Sequence, residues 1–450
     1  MSYEEAKDKY GVDAKRQRII VLVGAFLILF LALVVGFQFG YSKTKVKVVP
    51  VAELSVTPTQ NLQKDVTGVV IDKISEEPIK DAKITSGSQS TLSRADGSFK
   101  FKVADNAKQL DISAEGFQAV TADISEKEKI TLSPKGEIIF VSNRDGKRGL
   151  YRVNLDGSQD KNLVPRVDDK EDFSPVISPR ERYVTFLTTR DGRKDNQKND
   201  NPTLYIVKTD GSELKKISDY YDVRSVTWSP DGTYVAWVGR ENQDSYDSKL
   251  AVYNVADKST VYVGEGGDDI GDFSFSKDDS MVTFSIHNSG NSNRQGIYVA
   301  DGSGNNSRKV SNATGSPKYN DDLNVEFTDY ADNKTKYMAW FHDSGELKEI
   351  DKNDTKRVGT PSPDKVWIAY IENRDGKNNV FVSRPNKSGE KKLTSVDSAT
   401  DPIRWTLDGK YITFRVSKQN ESARYIVATS GKGSAKKIID EYGAGEYMGY

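Results

Sequence analysis

Across residues 225–263, apolar and polar positions group into four short runs separated by three turns. Val226 and Trp228 alternate with polar neighbours, the period of a strand with one covered face. Ser229-Pro230-Asp231-Gly232 then supplies turn chemistry: Ser opens a type I turn, Pro presets φ, Asp accepts local hydrogen bonds and Gly closes it. Residues 234–238 are apolar throughout, as in a strand covered on both faces. Residues 250–255 and 260–263 complete a four-stranded meander. One meander cannot bury its own faces and needs copies of itself as neighbours.

The copies follow in order. The turn recurs at Leu132-Ser133-Pro134-Lys135-Gly136, Ile177-Ser178-Pro179-Arg180, Phe275-Ser276-Lys277-Asp278-Asp279, Pro361-Ser362-Pro363-Asp364-Lys365 and Trp405-Thr406-Leu407-Asp408-Gly409, with a degenerate copy at Phe327-Thr328-Asp329. A second marker separates strands two and three: Asn143-Arg144-Asp145-Gly146, Thr189-Arg190-Asp191-Gly192 and Asn373-Arg374-Asp375-Gly376. Asp-Gly between apolar runs is a hairpin signal. About seven units of roughly 35–50 residues predict an all-β chain dominated by a β-propeller. Its extent is residues 132–439, with 440–450 as a tail. Ser142-Asn143-Arg144-Asp145-Gly146, followed by Leu150-Tyr151 and Leu155-Asp156-Gly157, resembles the TolB-like propellers. That resemblance implies protein binding in the periplasm or at the cell surface and does not imply catalysis. TolB-like propellers usually have six blades, so the alternative is six blades with the first unit assigned elsewhere.

The amino-terminal third has a different pattern. Residues 1–18 are polar and mixed in charge, and 19–41 carry no charge at all. A spanning helix needs about 20 apolar residues, so 19–41 is expected to be an uncleaved single-pass helix; a cleaved signal peptide is the alternative, poorly supported by Gly40-Tyr41-Ser42. Lys7, Lys9, Lys15, Arg16 and Arg18 precede the span, which places residues 1–18 in the cytoplasm and the bulk of the chain outside. Residues 42–64 read as a linker. Residues 65–131 predict a small β-sandwich of short strands, with strict alternation at Ser98-Phe99-Lys100-Phe101-Lys102-Val103. Gly68, Pro78-Ile79, Ala82, Asp96-Gly97-Ser98-Phe99 and Ser113-Ala114-Glu115-Gly116-Phe117 resemble the carboxypeptidase regulatory-like domain. The resemblance implies a transthyretin-like fold without catalytic residues. Lys129-Ile130-Thr131-Leu132 suits either the last strand of the sandwich or the first of the propeller.

Composition narrows the chemistry. With 65 basic and 66 acidic residues the formal net charge is −1, and nothing points to nucleic acid. Cysteine is absent and there are two histidines, His287 and His342. Thiolate sites, disulfides and a His-rich metal centre are thereby excluded. No P-loop, H-E-x-x-H or G-x-S-x-G occurs, which removes the hydrolase half expected of prolyl-oligopeptidase-like enzymes. The expectation is a non-enzymatic, membrane-anchored binding or scaffold protein, with no cofactor and no metal. Its partners would be an unknown protein of the cell envelope and the lipid bilayer through 19–41. The alternatives are an accessory or sensor subunit of a membrane complex, or a propeller-type glycan-active enzyme.

The long connections predict where such a protein binds. They fall between strands two and three and between successive blades, on one face of the ring, where loops usually carry function. Acids precede the presumed innermost strands: Asp172, Asp222, Asp269, Asp322 and Asp401. Ring closure would gather them around the channel mouth, where focused charge attracts a cation or a basic segment. Tyr220, Tyr221 and Tyr319 are the candidate contact aromatics. The competing explanation is that Asp simply suits turns before strands.

Overall fold

The computed structural model describes residues 62–124, 128–289, 291–320, 322–331, 334–350, 359–418, 421–441 and 447–449. The expected cytoplasmic segment, the 19–41 span and residues 42–61 of the linker lie outside the described residues.

The alternating pattern at residues 98–103 buries Phe99 and Val103 on one face. It belongs to a seven-stranded sandwich: β1 (Gln63–Asp72), β2 (Lys83–Ser86), β3 (Gln89–Leu92), β4 (Ser98–Ala104), β5 (Gln109–Ser113), β6 (Val120–Asp123) and β7 (Glu128–Leu132). One sheet runs β4-β1-β7 and the other β3-β2-β5-β6. Val66, Val70, Ile84, Val103, Leu110 and Ile112 form the core between them. Gly97 closes the β3–β4 turn at φ +74°, and a Cβ there would lie 2.4 Å from the Val70 carbonyl oxygen. Only glycine satisfies both conditions. The ambiguous strand 129–132 pairs in parallel with β1, Asp72 opposite Leu132, and so joins the sandwich.

The repeats follow as antiparallel meanders. Sheet I holds β8 (Glu137–Ser142), β9 (Gly149–Asn154) and β10 (Lys161–Asn162). Sheet II holds β11 (Asp172–Ile177), β12 (Tyr183–Thr188), β13 (Thr203–Lys208) and β14 (Lys215–Ser218). Sheet III is β15 (Tyr221–Trp228), β16 (Tyr234–Arg240), β17 (Lys249–Asn254) and β18 (Ser259–Val263). Sheet IV is β19 (Asp268–Phe275), β20 (Met281–Ser289), β21 (Gly296–Asp301) and β22 (Arg308–Ser311). Sheet V is β23 (Lys318–Tyr319), β24 (Val325–Ala331), β25 (Lys334–Trp340) and β26 (Leu347–Glu349). Sheet VI is β27 (Thr360–Pro361), β28 (Ile368–Arg374), β29 (Lys377–Ser383) and β30 (Lys391–Lys392). Sheet VII is β31 (Ala399–Trp405), β32 (Tyr411–Lys418), β33 (Glu421–Ala428) and β34 (Lys436–Glu441). Finally β35 (Tyr447–Gly449) returns to pair with β8, Tyr447 opposite Phe140, and becomes the fourth strand of sheet I.

The first strands converge: β11 touches β15 and β35, β19 touches β23, and β27 touches β31. Neighbouring sheets share apolar cores. Val141 and Leu150 pack on Phe186 between sheets I and II, and Val238 and Leu250 on Ile270 and Phe284 between III and IV. Sheet VII closes onto sheet I through Tyr411, Ile426 and Ile438 against Phe140, Tyr151 and Val153. Among the described residues the propeller thus has seven four-stranded sheets. The degenerate copy is displaced from its expected place. Phe327-Thr328-Asp329 lies inside β24, and the turn of sheet V, in which the Leu323 amide donates to the Asn320 carbonyl, precedes that strand instead.

The Arg-Asp-Gly hairpin has a structural explanation. The second and third strands of a sheet place aromatics opposite one another: Phe140 with Tyr151, Phe186 with Tyr205, Tyr370 with Phe381. The motif arginine lies over this pair, Arg144 at 3.8 Å from the Tyr151 centroid and Arg374 at 4.1 Å from that of Phe381. The motif aspartate accepts from the phenol, Tyr151 Oη to Asp145 at 2.6 Å and Tyr205 Oη to Asp191 at 2.5 Å.

The sandwich packs on the seam where the ring closes. Asp72 is buried and accepts from Tyr411 Oη at 2.7 Å, from Ser75 Oγ at 2.5 Å and from the Ile74 amide at 2.8 Å. Ile74 enters the core shared by sheets VII and I. Lys436 pairs with Glu76 and Lys432 with Glu77, each at 2.9 Å, and Lys73 with Asp156 at 3.2 Å. These partners sit at strand 3–4 hairpins and at the head of a second strand. The sandwich therefore sits on the face of the short turns, at sheets VII and I, and leaves the long connections free.

Candidate functional site

On the free face the first strands of sheets II, III and IV begin at carboxylates that are paired with guanidinium groups. In sheet II, Asp172 is buried at the start of β11. It accepts from Thr188 Oγ1 at 2.6 Å and from Arg190 Nη2 at 2.9 Å. Arg190 is the arginine of the second hairpin motif, 18 residues on. In sheet III, Asp222 adopts φ +50°, accepts from Arg224 Nη1 at 2.9 Å and lies 3.4 Å from Arg240 Nε. Arg224 also reaches across to sheet IV, with Nη2 3.4 Å from Asp269 Oδ1, which Ser248 Oγ bonds at 3.1 Å. In sheet IV, Arg294 grips the fully buried carboxylate of Asp268 with Nε at 3.0 Å and Nη2 at 2.6 Å. Its Nη1 bonds Glu265 at 2.9 Å. Asp268 raises the Arg294 pKa further above its ordinary value. Beside it, His287 Nε2 lies 3.0 Å from Ser285 Oγ and the imidazole covers Gly271 of the inner strand. Asp272 accepts from Ser316 Oγ.

The eight residues singled out from the sequence separate into groups. Asp222 and Asp269 are brought together, joined through Arg224. Asp172 occupies the equivalent place one sheet earlier, consumed by Arg190. Asp401 lies exposed within β31, ahead of the cis Asp401–Pro402 bond. Asp322 does not join them. It follows β23 and sits in the turn before β24, its amide bonded to Asn320 Oδ1 at 3.0 Å. Because β23 is only two residues long, the acid that seemed to precede an inner strand follows it, on the opposite face. Tyr220 is buried and stacks on Tyr262 at 4.8 Å, and desolvation raises its pKa. Tyr221 lies beneath the Arg193 guanidinium at 4.2 Å. The Tyr319 hydroxyl is buried without a partner and its pKa is raised by desolvation.

Among the described residues, no group of three His, Asp or Glu side chains converges as a metal ion requires. The rim is a mixed-charge surface of aspartates with arginines between them. Such a surface suits hydrogen-bonded, charge-alternating recognition better than capture of a bare cation. Sequence reasoning misses the arginines because their partners look like an uncompensated acidic cluster. The available signal was spacing: Arg190 follows Asp172 by 18 residues and Arg294 follows Asp268 by 26.

Comparison with known proteins places this architecture. No family model matches the chain. Over 113 residues it is 30% identical to an uncharacterized protein of Agrobacterium fabrum, a stretch covering 24% of this chain and only 37% of that relative. Solved structures with the same all-β organisation include TolB from Acinetobacter baumannii, 17% identical over 69% of this chain and 80% of that one, with a TM-score of 0.31. An oligogalacturonate lyase in complex with manganese is 13% identical over 66% of this chain and 87% of that one, with a TM-score of 0.41. By its own sheet topology the chain is a β-propeller protein, and TolB-like proteins are among its structural neighbours. The expectation that it is not an enzyme is corrected here, because a lyase is among those neighbours. Repeats determine a scaffold, and chemistry depends on side chains placed at its rim, so the repeat pattern does not exclude catalysis.

Proposed function

We propose that this protein is a binding scaffold of the cell envelope that recognises a protein partner through the free face of its propeller. In this reading residues 19–41 anchor it as a single pass with residues 1–18 in the cytoplasm. Residues 65–131 act as a carboxypeptidase regulatory-like unit that holds the ring by its other face. The observation carrying the proposal is the segregation of the connections. The aspartate–arginine rim and the long loops share one face, and the sandwich occupies the other. Loops on a rigid scaffold are where recognition concentrates.

Photo-crosslinking in intact cells tests it. A photoreactive residue at Tyr246, 90% exposed in the β16–β17 loop, is expected to give a discrete protein adduct. One at Lys277, in a short turn of the opposite face, is expected to give none. Adducts of equal yield from both faces, or full protection of the propeller from protease added to intact cells, would overturn the reading.

A further inference from the structure

Two junctions of the ring are closed by a pair of aromatic rings. At the head of a second strand, one ring faces another at the end of the next sheet's first strand. Between sheets II and III, Tyr183 stacks on Trp228, centroids 6.4 Å apart and planes inclined by 18°. Between III and IV, Tyr234 stacks on Phe275 at 6.5 Å and 13°. Between VI and VII the corresponding residues are Trp367 and Trp405. The turns at this junction keep the same spacing: a Cβ on Gly409 would lie 3.8 Å from Pro363 Cδ, and one on Gly232 lies 3.7 Å from Pro179 Cδ. The two indoles nevertheless do not close on each other. They wall a cavity of 360 Å³ together with Asp364, Asp408, Lys391 and Leu407.

The walls are held in place. Trp405 Nε1 donates to the Thr360 carbonyl at 2.9 Å. Trp367 rests on Gly389, whose Cβ would lie 3.4 Å from its ring edge. Each aspartate spends one oxygen on its own turn: Asp408 Oδ1 accepts from Thr406 Oγ1 at 2.6 Å and Lys410 N at 3.0 Å, and Asp364 Oδ1 from Ser362 Oγ at 2.5 Å and Val366 N at 3.0 Å. The Ser362 bond holds the Asp364 carboxyl below the usual range, so it stays ionised at neutral pH. Lys391 Nζ lies 5.6 Å from the Trp367 ring centroid, and Leu407 leaves the rim 56% exposed.

We propose that this cavity binds one pyranose ring of a neutral carbohydrate. An indole face offers apolar, quadrupolar surface to the C–H face of a sugar. The second oxygens of Asp364 and of Asp408, the latter 3.8 Å from Lys410 Nζ, accept from adjacent hydroxyls, and Lys391 donates to another. A singly charged ligand would meet a charge of its own sign somewhere in the cavity, because ammonium and carboxylates line it together; a neutral polyol avoids that repulsion and hydrogen-bonds to both. The volume lies at the small end of ligand pockets, roughly 300–1,000 Å³, which suits a single ring. The site is on the face opposite the aspartate–arginine rim, and it stands or falls independently of the partner proposed there.

The test titrates the full-length protein with methyl glycosides of glucose, galactose, mannose and N-acetylglucosamine, read by tryptophan fluorescence and saturation-transfer NMR. Trp228, Trp237, Trp340 and Trp405 are buried and Trp367 is partly exposed, so a saturable fluorescence change that is lost in Trp367→Ala reports on this cavity. At least one glycoside is expected to bind with a Kd on the order of 1 mM. Trp367→Ala and Asp408→Asn are each expected to weaken it at least tenfold. Asn at 408 keeps the turn-forming Oδ1, which guards against a folding artefact, and Trp228→Phe is expected to change nothing. No saturable binding by any glycoside overturns the proposal. So does binding that survives Trp367→Ala, and so does a cavity filled instead by a proline-rich or cationic peptide in competition.

Discussion

Replacing Tyr411 by Phe removes one hydroxyl from the seam between sandwich and ring. That hydroxyl donates to Asp72 across 339 residues of sequence, in a site where Asp72 is 5% exposed. Burial, and then the hydrogen bond to Asp72, raise the Tyr411 pKa, so the phenol is the donor at every physiological pH. A hydrogen bond to a charged buried group is worth about 1.5–3 kcal/mol. Asp72 keeps Ser75 Oγ and the Ile74 amide, so the loss stays within that range. The exposed pairs Lys436–Glu76 and Lys432–Glu77 lie in water, contribute little and are screened by salt. The single buried bond therefore outweighs the ion pairs around it. Hydrogen exchange at the Ile74 and Ala428 amides is the direct assay. Tyr411→Phe is expected to accelerate exchange there about 10- to 150-fold, at 0.5 M salt as at low salt, while Lys436→Ala is expected to change it less than about fivefold and only at low salt. An unchanged exchange rate in Tyr411→Phe, with the lysine variant dominant, would refute the argument that the buried bond holds the seam.

Arg190→Ala leaves the Asp172 carboxylate buried without its cation and is expected to cost about 3–5 kcal/mol in a denaturant titration; Asp172→Asn in the same background is expected to recover part of it. Glu181 is half-buried in a cavity between sheets I and II, with Oε1 unpartnered, and desolvation pushes its pKa up to about 7. The folded form then binds more protons than the unfolded form between pH 4.5 and about 7, so this group's contribution falls as pH rises through that window. Glu181→Gln is expected to flatten that slope and to be more stable than the parent at pH 8 by roughly 2 kcal/mol after allowance for solvent. Deleting residues 447–450 removes β35 and bares the edge of β8; concentration-dependent association in analytical ultracentrifugation is the expected result, and an unchanged monomer would show that β35 does not protect that edge.

How much of this was legible in the sequence follows from range. The meander of residues 225–263 and its copies could be read because turn chemistry and strand alternation are local. Ser229 and Asp231 act within their own turn: Ser229 Oγ accepts from the Tyr234 amide at 3.0 Å, and Asp231 from the Thr233 amide at 2.7 Å. The Arg-Asp-Gly hairpin was equally visible as a marker. Its purpose was not, since the aromatic pair beneath the arginine exists only once two strands are in register. Tertiary structure alone decided the rest. A first strand of two residues, β23, has too little pattern to detect, and it moved Asp322 to the other face. Asp172 and Asp268 read as bare acid because their arginines arrive from the connection between the second and third strands of the same sheet. The strand at 447–449 pairs with Phe140 and its neighbours, and Tyr411 finds Asp72, across most of the chain. Local periodicity is carried by each residue's own backbone preferences, whereas partners brought together by ring closure depend on the sum of seven sheet-to-sheet packings that no short window contains.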